Sequence, residues 1–304
     1  MKTYLDIARE GKNEWWRYLI GYPFIIFSYL AIGSIPAVIL VLYVSMDGDP
    51  LTEVLPTGVF TGVSPLVSFA AIMFSFIPWL IAIILAVTIL HQRPVRTLVT
   101  PAPRVDWQRI LLGMGAWMII AALLAIVEAV LYPGRYVFSL DIEAYLPVVV
   151  LSFVFIPLQT SAEEFLFRGY LLQHAGLKIK SVIALSLLSG FLFTLPHLGN
   201  PEVIEFGAAM TIFYFVTGAF LAAITLLDNG LELALGMHAG NNLFAALIAG
   251  YANDAIQTPV LFTVTEFDLT FNIVTLFAGL AVFYVVMFHV WPKGIATEAQ
   301  SNGV

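Results

Sequence analysis

Apolar positions along this 304-residue chain come in blocks of about 20 rather than in amphipathic stripes, the length that a hydrocarbon core of roughly 30 Å asks of a helix. The blocks run about 18–45, 65–90, 110–132, 144–176, 181–198, 206–227, 231–250 and 271–292. They predict an all-α, polytopic membrane protein with about eight transmembrane helices. The fourth block is too long for one upright crossing and is expected to tilt or overrun the bilayer. Before the first block, residues 1–17 mix Leu5, Ile7, Trp15 and Trp16 with charges, the composition of a short cytoplasmic segment lying in the headgroup region. A single transmembrane domain is expected over 18–292, followed by a disordered cytoplasmic tail over 293–304. Pro94, Pro101 and Pro103 mark an irregular loop, and the alternation around Val260, Phe262, Val264 and Phe267 predicts a short extended or re-entrant element.

Composition agrees: 60% of residues are hydrophobic and 11% charged, against about 25% charged in an ordinary soluble domain. The first apolar block runs on without a small-residue cleavage signature, so it reads as a retained span. Lys2, Arg9, Lys12 and Arg17 precede the first block. Arg93, Arg96, Arg104 and Arg109 fill the second loop, Lys178 and Lys180 follow the fourth block, and Lys293 follows the last. Only Arg135 stands opposite, and the positive-inside rule then predicts a multi-pass protein with both termini cytoplasmic; a bacterial cytoplasmic membrane is the expected location. Asp47, Asp49, Glu53, Asp141, Glu143, Glu202, Glu205, Asp254, Glu266 and Asp268 mark the other face, and the net charge of −7 argues against a nucleic-acid partner. Cysteine is absent, which removes disulfides, thiolate ligands and a cysteine nucleophile. Oligomeric state is not encoded in any of these patterns.

Three polar patches interrupt the apolar blocks: Glu163-Glu164 with Arg168, Phe193 with His197, and His238 with Asn242. An ionisable group near a bilayer centre costs roughly 2.5 to 3.5 kcal/mol, so such groups mark function. Glu164 and Arg168 are four apart, the spacing of a helical ion pair, which leaves Glu163 without a local partner. Blocks four and five form a hairpin, and at 1.5 Å per residue Glu163 and His197 lie at similar depths, about 21 and 25 Å from its turn. His238 and Asn242 share one helical face, while Gly236 and Gly240 allow a helix or a substrate backbone to come close. The remaining ionisable groups have bland readings: His91, His174 and His289 as interfacial and solvated, and Glu128 as snorkelling to headgroups. Each patch alone could be a polar staple between helices; three together point to chemistry.

A carboxylate, two imidazoles and an amide in a mostly dry cavity suit peptide-bond hydrolysis. The carboxylate, helped by a histidine, takes a proton from water, and a histidine and an asparagine donate to the tetrahedral oxyanion. A zinc set of Glu163, His197 and His238 with Glu164 as base stands beside this metal-free reading, in which no cofactor is required. The sequence lacks the His-Glu-x-x-His spacing that puts two ligands on one helix.

At these residues the chain resembles the CPBP intramembrane protease family, which groups type II CAAX prenyl endopeptidases with bacteriocin-processing and abortive-infection relatives. Glu163-Glu164-x-x-x-Arg168, Phe193-x-x-x-His197 and His238-x-x-x-Asn242 follow the family's three motifs in order, within about residues 145–250. The resemblance implies that Glu163 activates water with help from His197, that His238 and Asn242 form the oxyanion site, and that Glu164 and Arg168 hold helix ends in place. It also implies a conical intramembrane cavity opening to the cytoplasm and a membrane-associated protein or peptide substrate, with prenylated C-terminal peptides one candidate class. The family is commonly called metalloprotease. A catalytically silent peptide-binding scaffold or immunity factor is the alternative, and a transporter is a third class that the lack of repeated halves disfavours.

Overall fold

The computed structural model describes residues 3–293 apart from 56–58, 252–254 and 256, so the expected tail beyond Lys293 and the acidic Asp254 lie outside the described residues. The chain is mostly helical. We label its long apolar helices α1 (Trp15–Met46), α2 (Pro65–Leu90), α3 (Trp107–Leu131), α4 (Ile142–Gly176), α5 (Val182–His197), α6 (Ala208–Leu227), α7 (Glu232–Leu247) and α8 (Leu269–Val290). Their starts are set by local chemistry. The carboxylates of Asp106, Asp141 and Asp268 cap α3, α4 and α8 by accepting from Arg109 N, Glu143 N and Phe271 N at 3.0, 3.1 and 2.9 Å, and the Ser181 hydroxyl caps α5.

Six of these helices are long and apolar enough to cross a membrane, which makes this an integral membrane protein. The expectation of about eight spans needs refinement here. Helices α5 and α7 have 16 residues each and reach only roughly 24 Å, short of a roughly 30 Å core. The reason is burial: α7 is covered from Glu232 through Gly240 by its neighbours, so it meets protein where the long helices meet lipid. Helix α4 has 35 residues and overruns a single crossing, as its length in the sequence predicts. Four helices contain π-helical turns, at Ser28–Gly33, Ala86–Leu90, Phe165–Leu172 and Val286–Val290. The third follows directly on the Glu163-Glu164 pair.

Glycines set the closest contacts. A Cβ on Gly240 would stand 2.7 Å from Met114 O, and one on Gly236 would collide with Ile110 O, so this side of α7 rests on the α3 backbone. Gly190 of α5 meets Phe215 O of α6 in the same way, at 2.7 Å from an added Cβ. The small residues of α7 therefore serve a helix contact, which settles one of the two uses that their spacing allows.

The basic residues collect at one end of the bundle. Arg17 donates to Leu90 O, Arg9 to Leu177 O at 3.1 Å, and Lys180 pairs with Asp6 at 3.3 Å. Arg109 and Asp228 form a buried pair at 2.8 Å, beside which Lys293 reaches Asp228 and Glu232. The N-terminal segment is more than an interfacial anchor: Tyr4, Ile7 and Ala8 are buried, and the Tyr4 hydroxyl donates to Leu98 O at 2.6 Å. Trp15 remains exposed, as expected of a headgroup anchor.

Two histidines at this end depart from the solvated reading. His91 is 1% exposed; its Nδ1 lies 2.8 Å from Lys12 O and its Nε2 2.7 Å from the Tyr170 hydroxyl. A carbonyl can only accept, so Nδ1 carries the proton and Tyr170 donates to Nε2. Burial pushes the imidazole down to about 4. His174 stacks on Tyr18 with ring centroids 3.6 Å apart and bonds the Tyr22 hydroxyl.

At the opposite end, strands β1 (Glu53–Val54) and β2 (Phe60–Thr61) form a small hairpin. A second sheet joins β3 (Tyr136–Phe138), β4 (Ala249–Tyr251) and β5 (Phe262–Val264), with β5 central, antiparallel to β3 and parallel to β4. The expected extended element is this β5. Glu128 does not snorkel: it is 5% exposed, paired with Arg135 at 3.2 Å, and accepts from the Tyr136 hydroxyl at 2.8 Å.

Candidate functional site

Helices α4, α5, α6 and α7 bring the three motifs to one layer, and a chain of contacts beginning at α4 connects them. Glu163 and Glu164 end the regular α-helical part of α4, one turn before Arg168. Glu164 Oε1 accepts from Arg168 Nη1 at 2.7 Å, and Arg168 Nη2 donates to Gly218 O of α6 at 2.8 Å. Arg168 is fully buried and Glu164 with it, so this ion pair replaces water for both groups.

His238 joins that pair from α7. Its Nδ1 lies 2.8 Å from Glu164 Oε1. A carboxylate held by arginine only accepts, so Nδ1 carries the proton and Nε2 points away from Glu164. Nε2 stands 3.6 Å from Glu163 Oε2. That oxygen is buried and takes no hydrogen bond among the described residues, whereas Glu163 Oε1 accepts from Gln159 Nε2 at 2.5 Å. A lone pair on Nε2 and a carboxylate oxygen do not bond each other; the pair needs a proton or a proton donor between them. This is the arrangement of two bases sharing one hydrogen-bonding guest.

Asn242, one turn beyond His238, donates from Nδ2 to Gln159 Oε1 at 2.9 Å. Its second N–H has no partner in the described residues.

His197 is placed differently from Glu163's expected helper. Its Nδ1 bonds Phe193 O at 2.6 Å, which fixes the proton on Nδ1 and leaves Nε2 as an acceptor. No hydrogen bond joins it to Glu163 among the described residues. The connection runs through rings. Phe193 lies against His197 at 4.5 Å and edge-on to His238 at 5.9 Å between centroids, and it covers the Arg168 guanidinium at 4.5 Å. The aromatic residue of the second motif thus shields the arginine of the first and spaces the two imidazoles. On its other side His197 stacks on Tyr214 of α6 at 4.2 Å, and the Tyr214 hydroxyl bonds Glu202 and Asn200.

Gln159 and Tyr214 escaped the sequence reading. Gln159 lies four residues before Glu163, the same spacing that singled out Glu164 and Arg168, and that spacing could have found it. Tyr214 carries no such signal, because its contact with His197 is tertiary.

Among the described residues no group of three or more histidine, aspartate or glutamate side chains is arranged to hold a metal ion. His197 makes no hydrogen bond with Glu163 or His238 among the described residues, and the set Glu163, His197 and His238 is not gathered around one metal position, so it does not fit a zinc centre. Of the cavities in the structure, one of about 180 Å³ is walled by Ser68, Phe69, Met73, Gly199 and Asn200, and one of about 380 Å³ by Phe60, Pro65, Tyr251 and Val260. Both lie at the end opposite the basic loops. The first touches the site through Asn200, and neither has Glu163, His238 or Asn242 in its wall.

A family model described as type II CAAX prenyl endopeptidase Rce1-like matches residues 142–244. The uncharacterized protein YyaK of Bacillus subtilis (strain 168) is 31% identical over 288 residues, covering 90% of this chain and 94% of that protein. No solved structure matches the chain.

Proposed function

Because the chain belongs to the Rce1-like family of type II CAAX prenyl endopeptidases, we propose that it is an intramembrane endopeptidase that cleaves a peptide bond of a membrane-associated substrate, with prenylated peptides as the first class to test. The observation that carries this reading is the pair formed by Glu163 Oε2 and His238 Nε2, 3.6 Å apart, buried and needing a proton donor between them.

In the proposed reaction water gives a proton to Glu163 Oε2 while its oxygen attacks the carbonyl carbon. Negative charge collects on the carbonyl oxygen, where the free N–H of Asn242 donates to it, joined by His238 Nε2 when that imidazole enters the reaction already carrying a second proton taken from solvent. Collapse of the tetrahedral species breaks the C–N bond, and the leaving amine takes the proton from Glu163. His197, with Nε2 free to accept, helps to orient the attacking water, as its place in the family's motif implies. Glu164 and Arg168 act on His238: they fix its tautomer and keep it turned toward Glu163. The described residues gather no metal site, and the proposed steps run through water and protein groups. The hollow beside Asn200 has room for an apolar side chain of the substrate near His197. The collection of basic residues at one end supports a bacterial inner-membrane orientation with both termini cytoplasmic.

The test is hydrolysis of a quenched-fluorescence peptide with a farnesylated C-terminal CAAX sequence, presented in mixed micelles to purified protein. Turnover by the wild type, with loss of at least a hundredfold in Glu163→Gln and His238→Ala at unchanged thermal stability, supports the reading. Binding of the peptide with no turnover of this or an unprenylated membrane peptide would replace it with the scaffold alternative.

A further inference from the structure

Four hydrogen bonds run head to tail from α3 through α7 to the glutamate. Trp117 Nε1 donates to Asn241 Oδ1 at 3.1 Å, and Asn241 Nδ2 donates to Asn242 Oδ1 at 3.1 Å. Asn242 Nδ2 then donates to Gln159 Oε1 at 2.9 Å, and Gln159 Nε2 to Glu163 Oε1 at 2.5 Å. Each amide has one accepting and one donating end, so the three could line up in either direction. The two ends of the chain remove that freedom. An indole N–H only donates, and an ionised carboxylate only accepts.

Reversal is blocked from the tryptophan side even if Glu163 is protonated. With a proton on Oε1, Glu163 would donate to Gln159 Oε1, Gln159 to Asn242 Oδ1 and Asn242 to Asn241 Oδ1, which turns the Asn241 NH2 toward the Trp117 N–H. Two donors would then face each other. Trp117 is held in place by burial and by Phe283, whose ring meets it edge-on at 5.9 Å.

We infer that Gln159, oriented by Trp117 through Asn241 and Asn242, is a positioning residue that ties the proton-accepting carboxylate to the oxyanion-donating amide. The inference rests on the endopeptidase reading for its catalytic meaning. Two consequences follow from the geometry. Glu163 Oε1 already accepts from Gln159, whereas Oε2, the oxygen that faces His238, takes no hydrogen bond among the described residues and is the better placed to accept a proton from water. One N–H of Asn242 is occupied as well, so the other is the one presented to the substrate carbonyl. A single side chain on α4 therefore sets the aim of both groups, and the orientation of that side chain is decided two helices away.

Two readouts test this on the full-length protein in micelles. The first needs no activity: in a 15N-indole-labelled sample, Gln159→Leu should move the Trp117 indole N–H resonance, although Gln159 does not touch Trp117, while Tyr214→Phe, which leaves the chain intact, should not. An unmoved resonance in Gln159→Leu overturns the relay whether or not the protein is an enzyme. The second uses the farnesylated peptide. Gln159→Leu and Trp117→Phe should lower kcat by at least tenfold and about threefold with KM within twofold of wild type, and Gln159→Glu should displace the acid limb of the kcat profile to higher pH. Unchanged kcat and pH profile in the Gln159 variants would overturn the positioning role. A wild type without turnover, together with a moved indole resonance, would keep the relay and remove the endopeptidase reading.

Discussion

His238 Nδ1 and Glu164 Oε1 stand 2.8 Å apart across two helices, on the same oxygen that accepts from Arg168. One carboxylate thus neutralises a buried cation and chooses the tautomer of a histidine. The second glutamate of the motif is not a spare copy of the first.

Removing Arg168 or Glu164 singly leaves the other charge buried without its partner, which costs about 3–5 kcal/mol. Arg168→Met and Glu164→Leu should each fall in this range by equilibrium unfolding in mixed micelles. The double variant should lose less than the sum of the two, which the coupling energy of the double-mutant cycle measures.

The contact of α7 with α3 has no room at Gly236, where a Cβ meets Ile110 O, and ample room at Gly115, where nothing lies within 4 Å. Gly236→Val should therefore destabilise by about 1–3 kcal/mol through forced separation of backbones. Gly115→Ala should gain about 0.5–1 kcal/mol, the ordinary helix preference. Thermal midpoints in one detergent compare the two directly.

His91 ordinarily titrates near 6.5, and burial holds it down to about 4 in the folded protein. Between those values the unfolded chain binds a proton that the folded chain refuses, so this histidine's contribution to stability is full above about 6.5 and is lost as pH falls toward about 4. Unfolding midpoints measured across that window should drop with pH, and His91→Gln should flatten the slope. An equal slope in the variant would mean that other groups govern it.

Hydrolysis of the farnesylated peptide should persist in excess EDTA, because no three histidine, aspartate or glutamate side chains among the described residues are gathered around one metal position. Loss of turnover on chelation, restored by added zinc, would show that the donors regroup around a metal.

The helical architecture was legible because lipid imposes length: the span ends of α2 and α4 fall within two residues of those read from hydropathy. The Glu164–Arg168 pair was legible for the same kind of reason, since four residues on a helix is a distance. What the sequence could not carry is direction around the helix axis. Similar depth does not by itself join Glu163 to His197: Phe193 packs against both histidines, and the imidazole that faces Glu163 is His238. Short α7 looked like one more crossing because its composition is apolar, and only packing reveals that its apolar face meets protein. His91 looked solvated because it follows an apolar block, but Lys12 and Tyr170 come to it from distant parts of the chain.

The sheathing of α7 bears on how the protein is made. At 16 residues, with Glu232, His238, Asn241 and Asn242 along it, this segment is a poor candidate to leave the translocon alone, since each strongly polar group opposes entry into lipid. Its place is prepared by α3, α4 and α6, all of which are synthesised earlier. The helices that precede the seventh along the chain thus hold the partners of its polar groups: Trp117 for Asn241, Glu164 for His238 and Gln159 for Asn242.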